Sequence, residues 1–186
     1  MRKLIAAICA FLLLPFLAAA TPVLADPYTD NAAVDELLEE LRLAPNEIKA
    51  NEITRQIWSY WFSPSDSKLA TRMSVASNLL GEGNVVESLE ELDGIVAEYP
   101  DYAEGWNQRA TVNYMLDRLD DSLADIEKVL AIEPRHFGAL SGRVLIYLKQ
   151  GKHPEALRAM IAALAVHPYL TERRFFPELD LDVTHV

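Results

Sequence analysis

The sequence predicts an all-α protein, an α-solenoid of three helical-hairpin repeats preceded by a separate helical pair. Two observations carry this. Pro100, Pro134 and Pro168 stand 34 residues apart, and other positions repeat with them. Counting each proline as position 32 gives units 69–102, 103–136 and 137–170. Position 20 is then Ser88, Ser122 and Ala156; position 21 is Leu89, Leu123 and Leu157; position 24 is Leu92, Ile126 and Met160. The second observation is apolar residues at three- and four-residue spacing in both halves of each unit, the pattern of amphipathic helices.

In chain order, residues 1–25 come first. Arg2 and Lys3 precede an apolar run from Leu4 to Ala20, and small residues close it at Val23-Leu24-Ala25. A charged start, an apolar centre and a small-residue end mark a secretory signal peptide, with cleavage expected before Asp26 and a second option after Ala20. The alternative is an uncleaved inner-membrane anchor, since the run approaches the ~17–25 residues that span a bilayer. The single cysteine, Cys9, lies inside the run and lacks a lipidation box before it. The expected mature chain therefore has no cysteine for a disulfide, a thiolate metal site or a nucleophile.

Residues 26–66 carry two helical stripes. Val34, Leu37, Leu38 and Leu41 form one; Ile48, Ile53, Ile57, Trp58, Trp61 and Phe62 form the other, after a break at Pro45-Asn46. The aromatic cluster invites a ligand-stacking reading. The competing expectation is a cap that covers the open apolar side of the first repeat, because a repeat cannot bury its own face.

Residues 67–170 hold the three repeats. Gly83 and Gly151 occupy position 15 and suit the left-handed residue that ends a first helix. The small residue at position 20 lets the two helices approach closely, and the proline ends the second helix.

These residues resemble the tetratricopeptide-repeat family, whose period is also 34 residues. Trp106, Ala110, Ser122, Ile126 and Pro134 fill the signature positions of the second unit; Leu140, Tyr147, Ala156, Met160, Ala163 and Pro168 fill those of the third. Arg72, Arg109 and Arg143 depart from the pattern where an apolar residue is usual, and Asn113 where an aromatic is usual. The stretches 103–110 and 134–142 also look like small exported bacterial repeat proteins. The resemblance implies a concave groove lined by the first helix of each unit at positions 2, 5, 9 and 12. Carried over, the candidate contact residues are Met73, Ser77, Glu104, Asn107, Thr111, Tyr114, Ser141, Leu145 and Leu148, with Lys149 at the rim. The groove lacks the lysine cluster with which some members grip a terminal carboxylate.

Residues 171–186 are too few for a full capping helix. Phe175 and Phe176 are expected to cover the last repeat, and 178–182 to be extended or mobile. Burial of Phe175, Phe176, Leu179 and Leu181 in the chain's own groove, or in another copy's, is a sharper possibility.

No catalytic residues are expected. The chain has no His-Glu-x-x-His, no Gly-x-Ser-x-Gly and no phosphate-cradling glycine loop. His136, His153, His167 and His185 lack the spacing of a zinc site and read as surface residues. Acidic runs such as Glu87, Glu90, Glu91 and Asp93, or Asp117, Asp120, Asp121 and Asp125, read as solvated helix faces. No metal or cofactor is expected. Without Arg2 and Lys3, 15 basic residues face 28 acidic ones, a net charge of −13. That charge argues against a nucleic-acid partner, and a membrane is a partner only if the leader is retained. The expected function is a non-catalytic protein-interaction scaffold or adaptor of the bacterial cell envelope, exported to the periplasm, holding a peptide or partner helix in its groove. The alternatives are a structural subunit docking by its convex or terminal faces, and a small-molecule binder or enzyme with a site near the aromatic cluster.

Overall fold

The structure, a computed structural model, describes residues 25–179. The expected leader through residue 24 and the final seven residues, with Leu181 and His185, lie outside that span. Among the described residues eight α-helices follow one another: α1 (Asn31–Arg42), α2 (Glu47–Trp61), α3 (Ser67–Gly81), α4 (Val85–Glu98), α5 (Ala103–Met115), α6 (Leu119–Ile132), α7 (Phe137–Lys149) and α8 (His153–Val166); a 3-10 turn, Thr171–Phe175, comes after them.

Local sequence sets the starts. Asp30, Asn46 and Asp66 cap α1, α2 and α3, each accepting a backbone N–H from three residues on (Ala33, Lys49 and Leu69). The position-15 residues Gly83, Asp117 and Gly151 take φ of 84°, 61° and 70°, the left-handed turn that separates the helices of each repeat.

Within each repeat the position-20 residue is sealed between the two helices. Ser88 Oγ donates to Ala76 O at 2.8 Å and Ser122 Oγ donates to Ala110 O at 2.7 Å; Ala156 fills the same place in the third unit. The arginines that broke the apolar pattern are held by carboxylates. Arg72 pairs with Glu91 and Glu98, Arg143 with Glu127, and Arg109 spans Asp93 and Asp125 while lying 4.7 Å over the Trp106 ring. Asn113 donates to Asp125 at 3.0 Å. Glu91, Asp93 and Asp125 are thus interhelical partners, not a purely solvated face, and Asp125 is 3% exposed. A charge on one helix met by a carboxylate on a neighbouring helix replaces the missing apolar contact.

The N-terminal pair departs from expectation. It does not simply lid the first repeat. Residues before α1 pack there: Tyr28 stands edge-on to Tyr99 and Tyr102, and buried Asp26 accepts from Ala103 N–H at 3.0 Å. The hairpin itself reaches across to the third repeat. Val34, Leu38, Leu41, Ile53, Ile57 and Trp61 share a core with Phe137, and Val166 and Tyr169 pack against it. Tyr169 Oη donates to Ala44 O, and Arg135 pairs with Asp35. Ile48 and Phe62, placed in the apolar stripe by sequence, are exposed.

At the other end Phe176 is fully buried against Leu140, Val144 and Met160, while Phe175 stays exposed. One tail phenylalanine therefore covers the last repeat, and neither lies in the concave groove.

Candidate functional site

The hairpin turns part of the concave face into a pocket. Asn107, Thr111 and Tyr114 of α5 and Gly138, Ser141 and Leu145 of α7 supply its floor. Asn51, Thr54 and Trp58 of α2 form one wall, and residues His167 and Tyr169 to Glu172 form another. The cavity measures about 370 Å³, the size of a small-ligand or side-chain site.

Two histidines fix α2 in place, and both are buried, contrary to the surface reading. His136 stacks on Trp61 with centroids 3.9 Å apart and planes at 12°. Its Nδ1 accepts from Ala139 N–H at 3.2 Å, so the ring proton sits on Nε2, which donates to Glu104 at 3.1 Å. Glu104 also accepts from Asn107 Nδ2, at 3.0 and 3.2 Å to its two oxygens, and from Gln108 Nε2. A carboxylate only accepts, so this orients the Asn107 amide with Nδ2 on Glu104 and leaves its Oδ1 without a donor among the described residues. Docking of Trp61 is thereby linked, through His136 and Glu104, to a group in the pocket floor.

The second histidine, His167, accepts at Nδ1 from Tyr169 N–H and therefore donates from Nε2 to Thr54 Oγ1 at 3.0 Å. Burial pushes its pKa below the usual histidine value.

The sequence-selected residues divide. Asn107, Thr111, Tyr114, Ser141 and Leu145 are brought together in the pocket. Met73 and Ser77 line a separate cleft of about 10 Å³ beside Phe62 and Gln108. Glu104 is turned inward and is 1% exposed, because His136 and two amides hold it there. Leu148 packs against the core of the third repeat. Lys149 stands at the edge, 4.8 Å over the Tyr114 ring and 2.7 Å from Asp117. Sequence reasoning missed Asn51, Thr54, His167, Tyr169 and Glu172. None of these five stands at a groove position of the register, and the sequence marked only the junction after the proline, at position 34. There Tyr102 and His136 each carry an aromatic ring with a polar atom, which burial obliges to find partners. The aromatic pair also divides: Trp61 is buried, whereas Trp58 is half-buried and lines the pocket.

Among the described residues no group of three or more histidine, aspartate or glutamate side chains is placed to hold a metal ion. Stacked helical hairpins with a concave pocket define a helical-repeat protein of the tetratricopeptide type. No protein-family model matches the chain. A Rhizobium etli protein described as a TPR repeat-containing protein is 36% identical over 135 residues, which are 73% of this chain and 66%, just under two thirds, of that one. Among solved structures, a tetratricopeptide repeat protein from Parabacteroides merdae superimposes with a TM-score of 0.53 at 17% identity, over 77% of this chain and 57% of its own. MamA superimposes with a TM-score of 0.50 at 20% identity, over 73% and 78%. The chain belongs to the tetratricopeptide-repeat family.

Proposed function

We propose that the chain is an exported, non-catalytic interaction scaffold of the bacterial cell envelope, which holds a segment of a partner protein in the pocket on repeats two and three. The family supports protein partners in general. The observation that carries the finer reading is the pocket itself, where first-helix residues of two successive repeats converge with polar groups unused by the fold. Asn107 Oδ1 and Ser141 Oγ accept from no described residue, beside the apolar Leu145 and Phe137. Such a surface pairs with a peptide backbone and packs its side chains. The leader pattern of residues 1–25 supports export, and a new N-terminus at Asp26 in a periplasmic fraction is the expected product.

The test is a photo-crosslinking residue at Leu145, with one at Ile161 on α8 as control, in the living bacterium. One protein adduct at Leu145 that is absent at Ile161 is expected. Equal adducts at both positions would remove the groove reading. A second reading, a small-molecule site, is favoured by Trp58 lining a partly polar cavity. Native mass spectrometry of the purified chain showing a retained small molecule would support it.

A further inference from the structure

The pocket chemistry selects among partner segments. We propose that it takes the cationic side chain of a lysine or arginine, borne on an extended segment of the partner protein. This deepens the groove reading and rests on it.

Charge is the first argument. Among the described residues the lining contains no lysine or arginine, and the charged one is Glu172, which forms no ion pair with any of them. A lining carboxylate without an ion-pair partner attracts a cation and repels an anion. The surrounding chain carries a formal charge of −11, which adds to the same preference.

Hydrogen bonding is the second. Asn107 is 7% exposed, and its Oδ1 has no donor among the described residues, while Glu104 holds the Nδ2 side of the amide. Ser141 is 9% exposed, and its hydroxyl has no partner among them. Both oxygens belong to residues that line the cavity and are open to a donor there, and an ammonium or guanidinium supplies several and no acceptor. Terminal-carboxylate recognition would need the opposite chemistry.

Aromatic surface is the third. Trp58, Tyr114 and Tyr169 border the cavity, and a cation over such a ring gains from its quadrupole. Tyr114 already bears one: Lys149 Nζ lies 4.8 Å from its centroid, with its charge satisfied by Asp117 outside the lining. The α2 wall and the 167–172 turn leave a half-enclosed pocket, suited to an inserted side chain, and the methylene stem would lie against Leu145 and Phe137.

The experiment titrates the full chain with three blocked alanine pentapeptides centred on lysine, norleucine or glutamate, at up to millimolar concentration, read by NMR. The lysine peptide should shift the Asn107 side-chain amide and the Trp58 indole N–H and bind at least about 10-fold more tightly than norleucine. Glu172→Gln should weaken it by about 2- to 5-fold, as expected for a partly exposed charge pair, and added salt should weaken it too. Norleucine binding as well as lysine, glutamate binding better, or no peptide shifting these signals would overturn the proposal. Free n-butylammonium binding as tightly as the peptide would overturn the partner-segment source. In each of those cases a specific adduct at Leu145 would still stand, so the groove reading fails or survives separately.

Discussion

The three repeats and the N-terminal hairpin are held by different kinds of contact. In the repeats one arrangement recurs: a small position-20 residue under the first helix, with Ser88 and Ser122 donating to carbonyls 12 residues back. Every such contact is between neighbours in sequence. The hairpin is held by contacts that occur once. Trp61 stacks on His136, Thr54 meets His167 across 113 residues, and Tyr169 meets Ala44 across 125. A stack of repeats draws its stability from summed nearest-neighbour terms. The hairpin depends on one distant interface and is the region expected to open first. Since α2 is also a pocket wall, the less stable region controls the site.

Trp61→Ala should break that contrast most visibly. The indole is 3% exposed and covers His136 and Phe137. Truncating a buried tryptophan costs roughly 3–5 kcal/mol. Hydrogen exchange should then show α1 and α2 losing protection while α3–α8 keep theirs. Protection lost evenly along the chain would mean that the hairpin and the repeats form one cooperative unit.

Ser122→Leu tests the repeat side. Its hydroxyl is buried against Ala110 O, and a branched side chain there forces α5 and α6 apart, at roughly 1–3 kcal/mol for overpacking. Thermal melts followed by circular dichroism should shift downward for the whole helical signal, because the middle repeat supports both neighbours and carries His136. A melt that loses only a small early fraction of the signal would place the weak point elsewhere.

The two regions also differ in how far the sequence discloses them. The repeats were legible because each position is written three times: the prolines set the register, and Ser88, Ser122 and Ala156 then fall into place. Even their irregularities were visible as departures, although the carboxylates that answer Arg72, Arg109 and Arg143 sit on other helices and carry no local mark. The hairpin's helices were legible from their stripes and caps, but not its destination. Nothing near Trp58 or Trp61 says that the partner is His136 or Phe137, about 75 residues away. The groove positions on α5 and α7 followed from the register; the wall opposite them did not. The inward turn of Glu104 also escaped, since a glutamate at a groove position reads as solvent-facing until His136 is known to be buried beside it.

The smallest expected effect is a pH dependence confined to the hairpin. Burial holds the His167 pKa below the usual histidine value, and the neutral ring accepts at Nδ1 from Tyr169 and donates at Nε2 to Thr54. Phe137 stands edge-on at 5.3 Å, and Glu172 is the charge that favours protonation. The folded state therefore binds the proton less well than the unfolded chain. Stability from this group is fully present above about pH 6.5 and falls as pH drops through that value toward the lower folded pKa, by at most about 1.4 kcal/mol per pH unit. Protonating Nδ1 removes the acceptor for Tyr169 N–H at the turn that meets α2. Hydrogen exchange at pH 7.5 and pH 5.5 should show α1 and α2 losing protection at the lower pH relative to α5 and α6, and His167→Gln should remove most of that difference. His153→Gln serves as the control, because His153 is half-exposed and pairs with Glu178 on the far side of α8's start. An equal loss of the pH effect in both variants would detach it from the hairpin interface and leave the tail as its source.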